Sequence, residues 1–153
     1  MFLDLTGNSI GNAGAAFLLE AIAQSNTLLS LNLSSNELTG GPKKTIEKSF
    51  GMSDHMAAKM GPQRLPAMAY NFQTFLGSCS SLLELNLRQN KFGDEAIGLI
   101  GEALVGKGSN LENLNIANTQ LTSKGFGKLV RDLRVNHTLK KLIADYNNLY
   151  SQY

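Results

Sequence analysis

Leu31-Asn32-Leu33-Ser34-Ser35-Asn36-Glu37-Leu38 and Leu85-Asn86-Leu87-Arg88-Gln89-Asn90-Lys91-Phe92 spell one phrase twice: apolar residues at the first, third and eighth places, Asn at the sixth. The phrase opens the chain as Leu3-Asp4-Leu5-Thr6-Gly7-Asn8-Ser9-Ile10. It returns as Leu114-Asn115-Ile116-Ala117-Asn118-Thr119-Gln120-Leu121, where Thr replaces the Asn. The last copy, Leu142-Ile143-Ala144-Asp145-Tyr146-Asn147-Asn148-Leu149, has Ala for the second Leu. A further apolar residue stands three places upstream of four copies, at Leu28, Leu82, Leu111 and Leu139. Five copies in register mark a tandem repeat.

The first Leu of each copy lies 28, 54, 29 and 28 residues before the next. The long interval is one repeat plus an insertion of roughly 26 residues. A period of this length leaves room for a helix after each strand, and apolar residues at helical spacing supply it. Leu18 and Ile22 share a face after Ile10; Ala96, Ile100, Ala103 and Leu104 follow Phe92; Phe126, Leu129, Val130 and Leu133 follow Leu121. Each unit is a strand, a turn and a helix that leaves its apolar face open when alone. Stacked units share one core, with parallel strands on the concave side and helices on the convex side. The recurring Asn has a structural reason, because its amide donates to and accepts from turn backbone. Asn8, Asn36, Asn90 and Asn147 are expected to form an internal ladder. Thr119 makes only part of those bonds, which predicts a looser fourth turn.

On these residues, together with the Gly-rich helix entry Ile10-Gly11-Asn12-Ala13-Gly14, the chain resembles the ribonuclease-inhibitor-like subfamily of leucine-rich-repeat proteins. The likeness covers residues 3–41 and about 67–149. It implies an α/β fold, a right-handed leucine-rich-repeat solenoid forming a segment of a horseshoe. The family includes inhibitors, sensor domains, GTPase activators, actin-end cappers and axonemal scaffold proteins, and most members bind other proteins. The resemblance therefore implies a non-catalytic interaction module or scaffold inside a larger intracellular assembly, with a cytoskeletal or axonemal setting (cilium) foremost. The alternative it carries is a regulator of a small GTPase, of the kind that activates Ran.

At 153 residues and 42% apolar, residues 1–153 read as a single domain of about five strand units with an insertion at about 42–66. A net charge of +2 gives no strong field toward nucleic acid or membrane, and neither is expected as a partner. No apolar run approaches a membrane-spanning length and no secretory leader pattern opens the chain, so a cytoplasmic location is expected. One cysteine, Cys79, and two distant histidines exclude a disulfide framework and offer no metal site. Cys79, at the end of an expected helix, reads as core. Strand one begins almost at Met1, and little follows strand five. Large apolar side chains left wet cost about 1.5–3 kcal/mol each. Both ends are thus expected to be covered, by further repeats of a longer array or by a partner.

Three surfaces are candidates for binding. Residues flanking the buried Leu positions point to the concave face. They form the columns Ser30, Glu84, Asn113, Lys141; then Asp4, Asn32, Asn86, Asn115, Ile143; then Thr6, Ser34, Arg88, Ala117, Asp145. These columns are polar, short and nearly neutral, without an aromatic anchor. They read either as a solvated sheet or as a docking face with Glu84 and Arg88 at its centre. The insertion is the second candidate. Met52, Met56 and Met60 fall on one helical stripe, suited to an adaptable contact or to packing on the protein itself. The third is basic. Lys124, Lys128 and Arg131 follow one helix face, within residues 120–153 that carry six basic and two acidic side chains. This reads as a solvated face or as a dock for an acidic cytoskeletal surface.

Catalytic motifs fail on inspection. Gly101-Glu102-Ala103-Leu104-Val105-Gly106-Lys107-Gly108 approaches a phosphate loop, but Gly108 replaces its Ser or Thr and the segment ends a helix. It reads as a helix exit with Gly as cap. His55 and His137 are far apart and lie in no nucleophile motif, so neither enzyme activity nor a cofactor is expected.

Overall fold

Each repeat closes because its two apolar surfaces, one on a strand and one on a helix, face each other across a single core. In the computed structural model, residues 1–40 and 68–150 are described. Five strands, β1 (Phe2–Asp4), β2 (Ser30–Asn32), β3 (Glu84–Asn86), β4 (Asn113–Asn115) and β5 (Lys141–Ile143), pair in parallel in chain order. Helices α1 (Gly11–Ile22), α2 (Met68–Ser78), α3 (Gly93–Val105) and α4 (Ser123–Leu133) form the second layer. The register places Leu3, Leu31, Leu85, Leu114 and Leu142 in one row. Such short strands hold only as part of this continuous row. Leu31, Leu33, Leu87, Ile97, Ile100, Ile116 and Leu121 are wholly buried beneath the sheet. The ring of Phe72 on α2 meets that of Phe92 edge-on, centroids 5.7 Å apart at 76°. Cys79 is buried in this core, as its position predicts.

The Asn ladder is present, and it reaches between repeats as well as within them. Asn36 Oδ1 accepts the amides of Asn8 and Ile10, and Asn90 Oδ1 accepts those of Asn36 and Leu38. Asn147 Oδ1 does the same for Thr119 and Leu121. Each side chain therefore serves the repeat before it. This moves the effect of Thr119. Its own turn keeps a bond, Thr119 Oγ1 donating to the Ile116 carbonyl at 2.8 Å. Among the described residues the corresponding amides of Asn90 and Phe92, in the third turn, make no hydrogen bond, as is also true of Asn147 and Leu149 in the last turn. The bonds that Thr119 forgoes are therefore missing one repeat earlier, in the third turn.

Helix entry is also a cross-repeat device. The α4 N-cap position, Thr122, makes no side-chain cap of its own. Asp94, in the first turn of α3, accepts from the Thr122 amide at 2.7 Å and the Thr122 hydroxyl at 2.6 Å. In repeat one, Asn12 Oδ1 accepts from the Thr39 amide while Asn12 Nδ2 donates to the Thr39 hydroxyl. Gly125 is needed because a Cβ there would strike the Asp94 carboxylate.

Three helical expectations change. The buried stripe of α1 is Ala15 and Leu19, with Leu18 and Ile22 only partly covered. Val130 faces outward, 44% exposed, while Leu129 takes the core position of α4. Gly106 does follow α3, but in an extended conformation with φ −66°. The glycine demand there falls on Gly108, where a Cβ would strike the Gly77 carbonyl. The insertion, with Met52, Met56 and Met60, lies outside the described residues; the flanking Gly40 and Met68 are both buried. No described helix is long and apolar enough to cross a membrane.

Candidate protein-docking face

The register turns Phe2, Ser30, Glu84, Asn113 and Lys141 outward in one column, and Asp4, Asn32, Asn86, Asn115 and Ile143 in the next. The second column has local work to do. Asp4 Oδ1 accepts from the Thr6 amide and hydroxyl, and Asn32 Oδ1 from those of Ser34. Asn86 Oδ1 accepts from the Arg88 amide at 3.1 Å, and Asn115 Oδ1 from the Ala117 amide at 3.0 Å. These Asx turns end the first four strands and commit the oxygens to the turn backbone. The amide nitrogens of Asn86 and Asn115 make no hydrogen bond among the described residues. Two N–H2 groups thus stand at paired positions on adjacent strands. The hydroxyl of Thr6, then its amide, holds the Asp4 carboxyl below its ordinary value.

Glu84 and Arg88 do not meet. Glu84 Oε1 accepts from Asn113 Nδ2 at 3.1 Å at the strand-entry side of the sheet. Arg88 lies at the opposite, strand-exit side, where its guanidinium sits 5.7 Å from the centroid of the Tyr146 ring. Tyr146 belongs to the fifth repeat and Arg88 to the third. Between them in the third column stands Ala117, whose methyl is completely covered. The concave face therefore has aromatic side chains that its columns concealed. Phe2 heads the first column at 76% exposure and Tyr146 flanks the third at 79%. The signal for Tyr146 was available, as a bulky residue at the exit-turn place held elsewhere by Gly7, Ser35, Gln89 and Asn118. Its pairing with Arg88 depends on stacking and was not. Asn32, Glu84, Asn86, Asn115 and Lys141 wall a shallow depression of about 350 Å³ over β2–β5.

The basic stretch divides between layers. Lys124, Lys128 and Arg131 lie on α4, on the convex side, whereas Lys141 opens onto the concave face. Lys128 is already paired, its Nζ 2.7 Å from Glu102 Oε1 on α3. That hydrogen bond holds the Lys128 ammonium above its ordinary pKa. Lys140 pairs with Glu112 at 2.7 Å. Lys124 contributes to the charge around Asp94, and Arg131 occupies the last turn of α4, where its charge suits the helix dipole. Among the described residues no group of three or more His, Cys, Asp or Glu is placed to hold a metal.

A profile of the Leucine Rich repeat family matches residues 1–19, 24–41 and 78–101. The chain is 28% identical to the ribonuclease inhibitor of Sus scrofa over 145 residues, 95% of this chain. The chain belongs to the leucine-rich-repeat family, of the ribonuclease-inhibitor-like kind. It is also 30% identical over 146 residues, 92% of its length, to NACHT, LRR and PYD domains-containing protein 12 of Mus musculus. It spans 26% and 14% of the lengths of these two leucine-rich-repeat relatives. Among solved structures, leiomodin-1 actin-binding site 2 superposes with a TM-score of 0.71 at 18% identity, over 98% of this chain and 71% of that one. The tropomodulin C-terminal domain of Caenorhabditis elegans gives 0.68 at 11% identity, over 94% and 72%. At these identities the structures share the solenoid fold. Two of these names, an inhibitor and an actin-binding site, describe binding, and a leucine-rich-repeat domain of this kind points to protein–protein interaction.

Proposed function

We propose that this chain is a non-catalytic docking module that presents its concave face to a partner protein within an intracellular cytoskeletal assembly. The observation that carries this reading is the fixed register of the outward columns. Five parallel strands hold polar side chains in rows while every central Leu turns inward. A rigid scaffold of this kind orders the binding groups before the partner arrives, which lowers the entropic cost of association. Residues 1–153 act in this reading as a single repeat domain. The fold shared with leiomodin-1 actin-binding site 2 makes actin the first partner to test. The names of these relatives bear on a cytoskeletal setting and not on an axonemal one.

Cosedimentation with filamentous actin, and fluorescence titration with monomeric actin, test the reading. Wild-type protein is expected to bind, and Arg88→Glu to abolish capture while retaining the wild-type circular dichroism spectrum. Capture unchanged by Arg88→Glu rejects the concave face as the contact. No binding to either form of actin rejects this partner.

A further inference from the structure

Tyr146 departs from the rest of the exit-turn row. Gly7, Ser35, Gln89, Asn118 and Tyr146 all adopt positive φ, at 70°, 55°, 56°, 52° and 58°. Glycine and asparagine occupy that region readily, whereas a bulky aromatic there is strained. Strain of this kind concentrates at functional positions. The Tyr146 ring gains no core burial in exchange, being 79% exposed. Its partner is the Arg88 guanidinium, held 5.7 Å from the ring centroid. Among the described residues Arg88 makes no ion pair, although Asp145 shares its column. A guanidinium laid over a ring keeps its N–H edge available for a planar carboxylate. Asn86 and Asn115, whose oxygens are taken by the turn backbone, add two amide donors on the neighbouring column.

We propose that Arg88 and Tyr146 form the anchor of the docking face for an extended protein segment that carries an isolated carboxylate beside an aromatic or apolar side chain. The carboxylate takes the Arg88 fork, the neighbouring side chain stacks on Tyr146, and the Asn86 and Asn115 amides donate to the segment's backbone carbonyls. Arginine and tyrosine are the residue types that dominate binding energy at such centres. Glu84 and Asp145 set the limit of the charge. A dense acidic run or a phosphodiester backbone meets both carboxylates, so the occupant is a sparsely charged peptide and not a polyanion. This inference rests on the concave docking reading above.

The test pans a random dodecapeptide display library against the wild type, Arg88→Gln, Tyr146→Asn and Asn113→Trp, the last placing bulk in the middle of the face. Wild-type selection is expected to enrich peptides with a single Asp or Glu next to an aromatic or apolar residue. For a resynthesised winner, Arg88→Gln and Tyr146→Asn are each expected to weaken binding about tenfold, with Tyr146→Asn melting no lower than wild type. Weak binding together with a lowered melting temperature in Tyr146→Asn overturns the anchor. Enrichment of polyacidic peptides, or affinity indifferent to both substitutions, also overturns it. Peptides without a carboxylate that fail only on Asn113→Trp sink the anchor but leave the docking face standing. Peptides indifferent to all three variants, or no enrichment, sink both.

Discussion

Asn90 satisfies five backbone groups from a site only 2% exposed: the amides of Asn36 and Leu38, and the carbonyls of Leu33, Leu87 and Arg88. Leaving a buried group unpaired costs about 1–3 kcal/mol, and water recovers part of it. Asn90→Ala is therefore expected to destabilise by about 3–5 kcal/mol in urea unfolding. Asn8 donates to the carbonyls of Leu5 and Thr6 at an exposed edge. Asn8→Ala is expected to cost under about 1 kcal/mol, because solvent replaces the lost donor. Thr119→Asn supplies the acceptor that the amides of Asn90 and Phe92 lack, and a gain of about 1 kcal/mol is expected. A loss of stability in that variant would show that the third turn is already satisfied. All five ladder places were legible in the sequence. That Asn36, Asn90 and Asn147 serve the repeat before them was not, because the bonds cross 26 to 57 positions of chain.

At the scale of elements, the start of α4 is held by the helix before it. Burial pushes the Asp94 carboxyl up, but the Thr122 hydroxyl, the amides of Thr122 and Gly125, and the Lys124 charge outweigh it and hold the group below its ordinary value. The unfolded chain then takes up the proton first as pH falls. The cap's contribution is full above the unfolded value near pH 4 and is lost as pH drops through the folded one. Asp94→Ala is expected to cost about 1–2 kcal/mol at neutral pH, as loss of a cap does. Asp94→Asn recreates the Asn12–Thr39 clasp, with both bonds and no charge. Its deficit relative to wild type is expected to be small at pH 7 and to shrink further below about pH 4, measured by thermal melts across pH. A deficit that grows with acid would refute this account of the cap. Helix existence followed from apolar spacing alone. The exposure of Val130 and the half-cover of Leu18 did not, since both depend on where the neighbouring helix lies.

The whole molecule is a row of nearest-neighbour contacts. Phe72 is wholly buried on α2 and touches Phe92 from the next repeat, so it joins the second and third units on either side of the long interval. Phe72→Ala is expected to destabilise by about 3–5 kcal/mol. In a solenoid such a loss falls on one interface and lowers cooperativity. Hydrogen exchange is expected to show α1 and α2 losing protection before α4. Uniform loss across all four helices would mean that the stack unfolds as one unit. Phe17, 74% exposed on α1, serves as the control, with Phe17→Ala expected to be nearly silent.

Periodicity was enough to establish the solenoid, its strand places, the inward Leu row and the polar character of the concave face. Those features repeat because each unit meets the same local demand, to bury one face and pair its turn backbone. The candidate site depended on tertiary structure. Glu84 and Arg88 are close in sequence and end at opposite edges of the sheet. Arg88 and Tyr146 are far apart in sequence and meet because stacking lays their columns side by side across Ala117. The basic residues near the end of the sequence separate into two layers for the same reason. A strand's neighbours in space are whole repeats away along the chain, so only the stacked register could bring the anchor together.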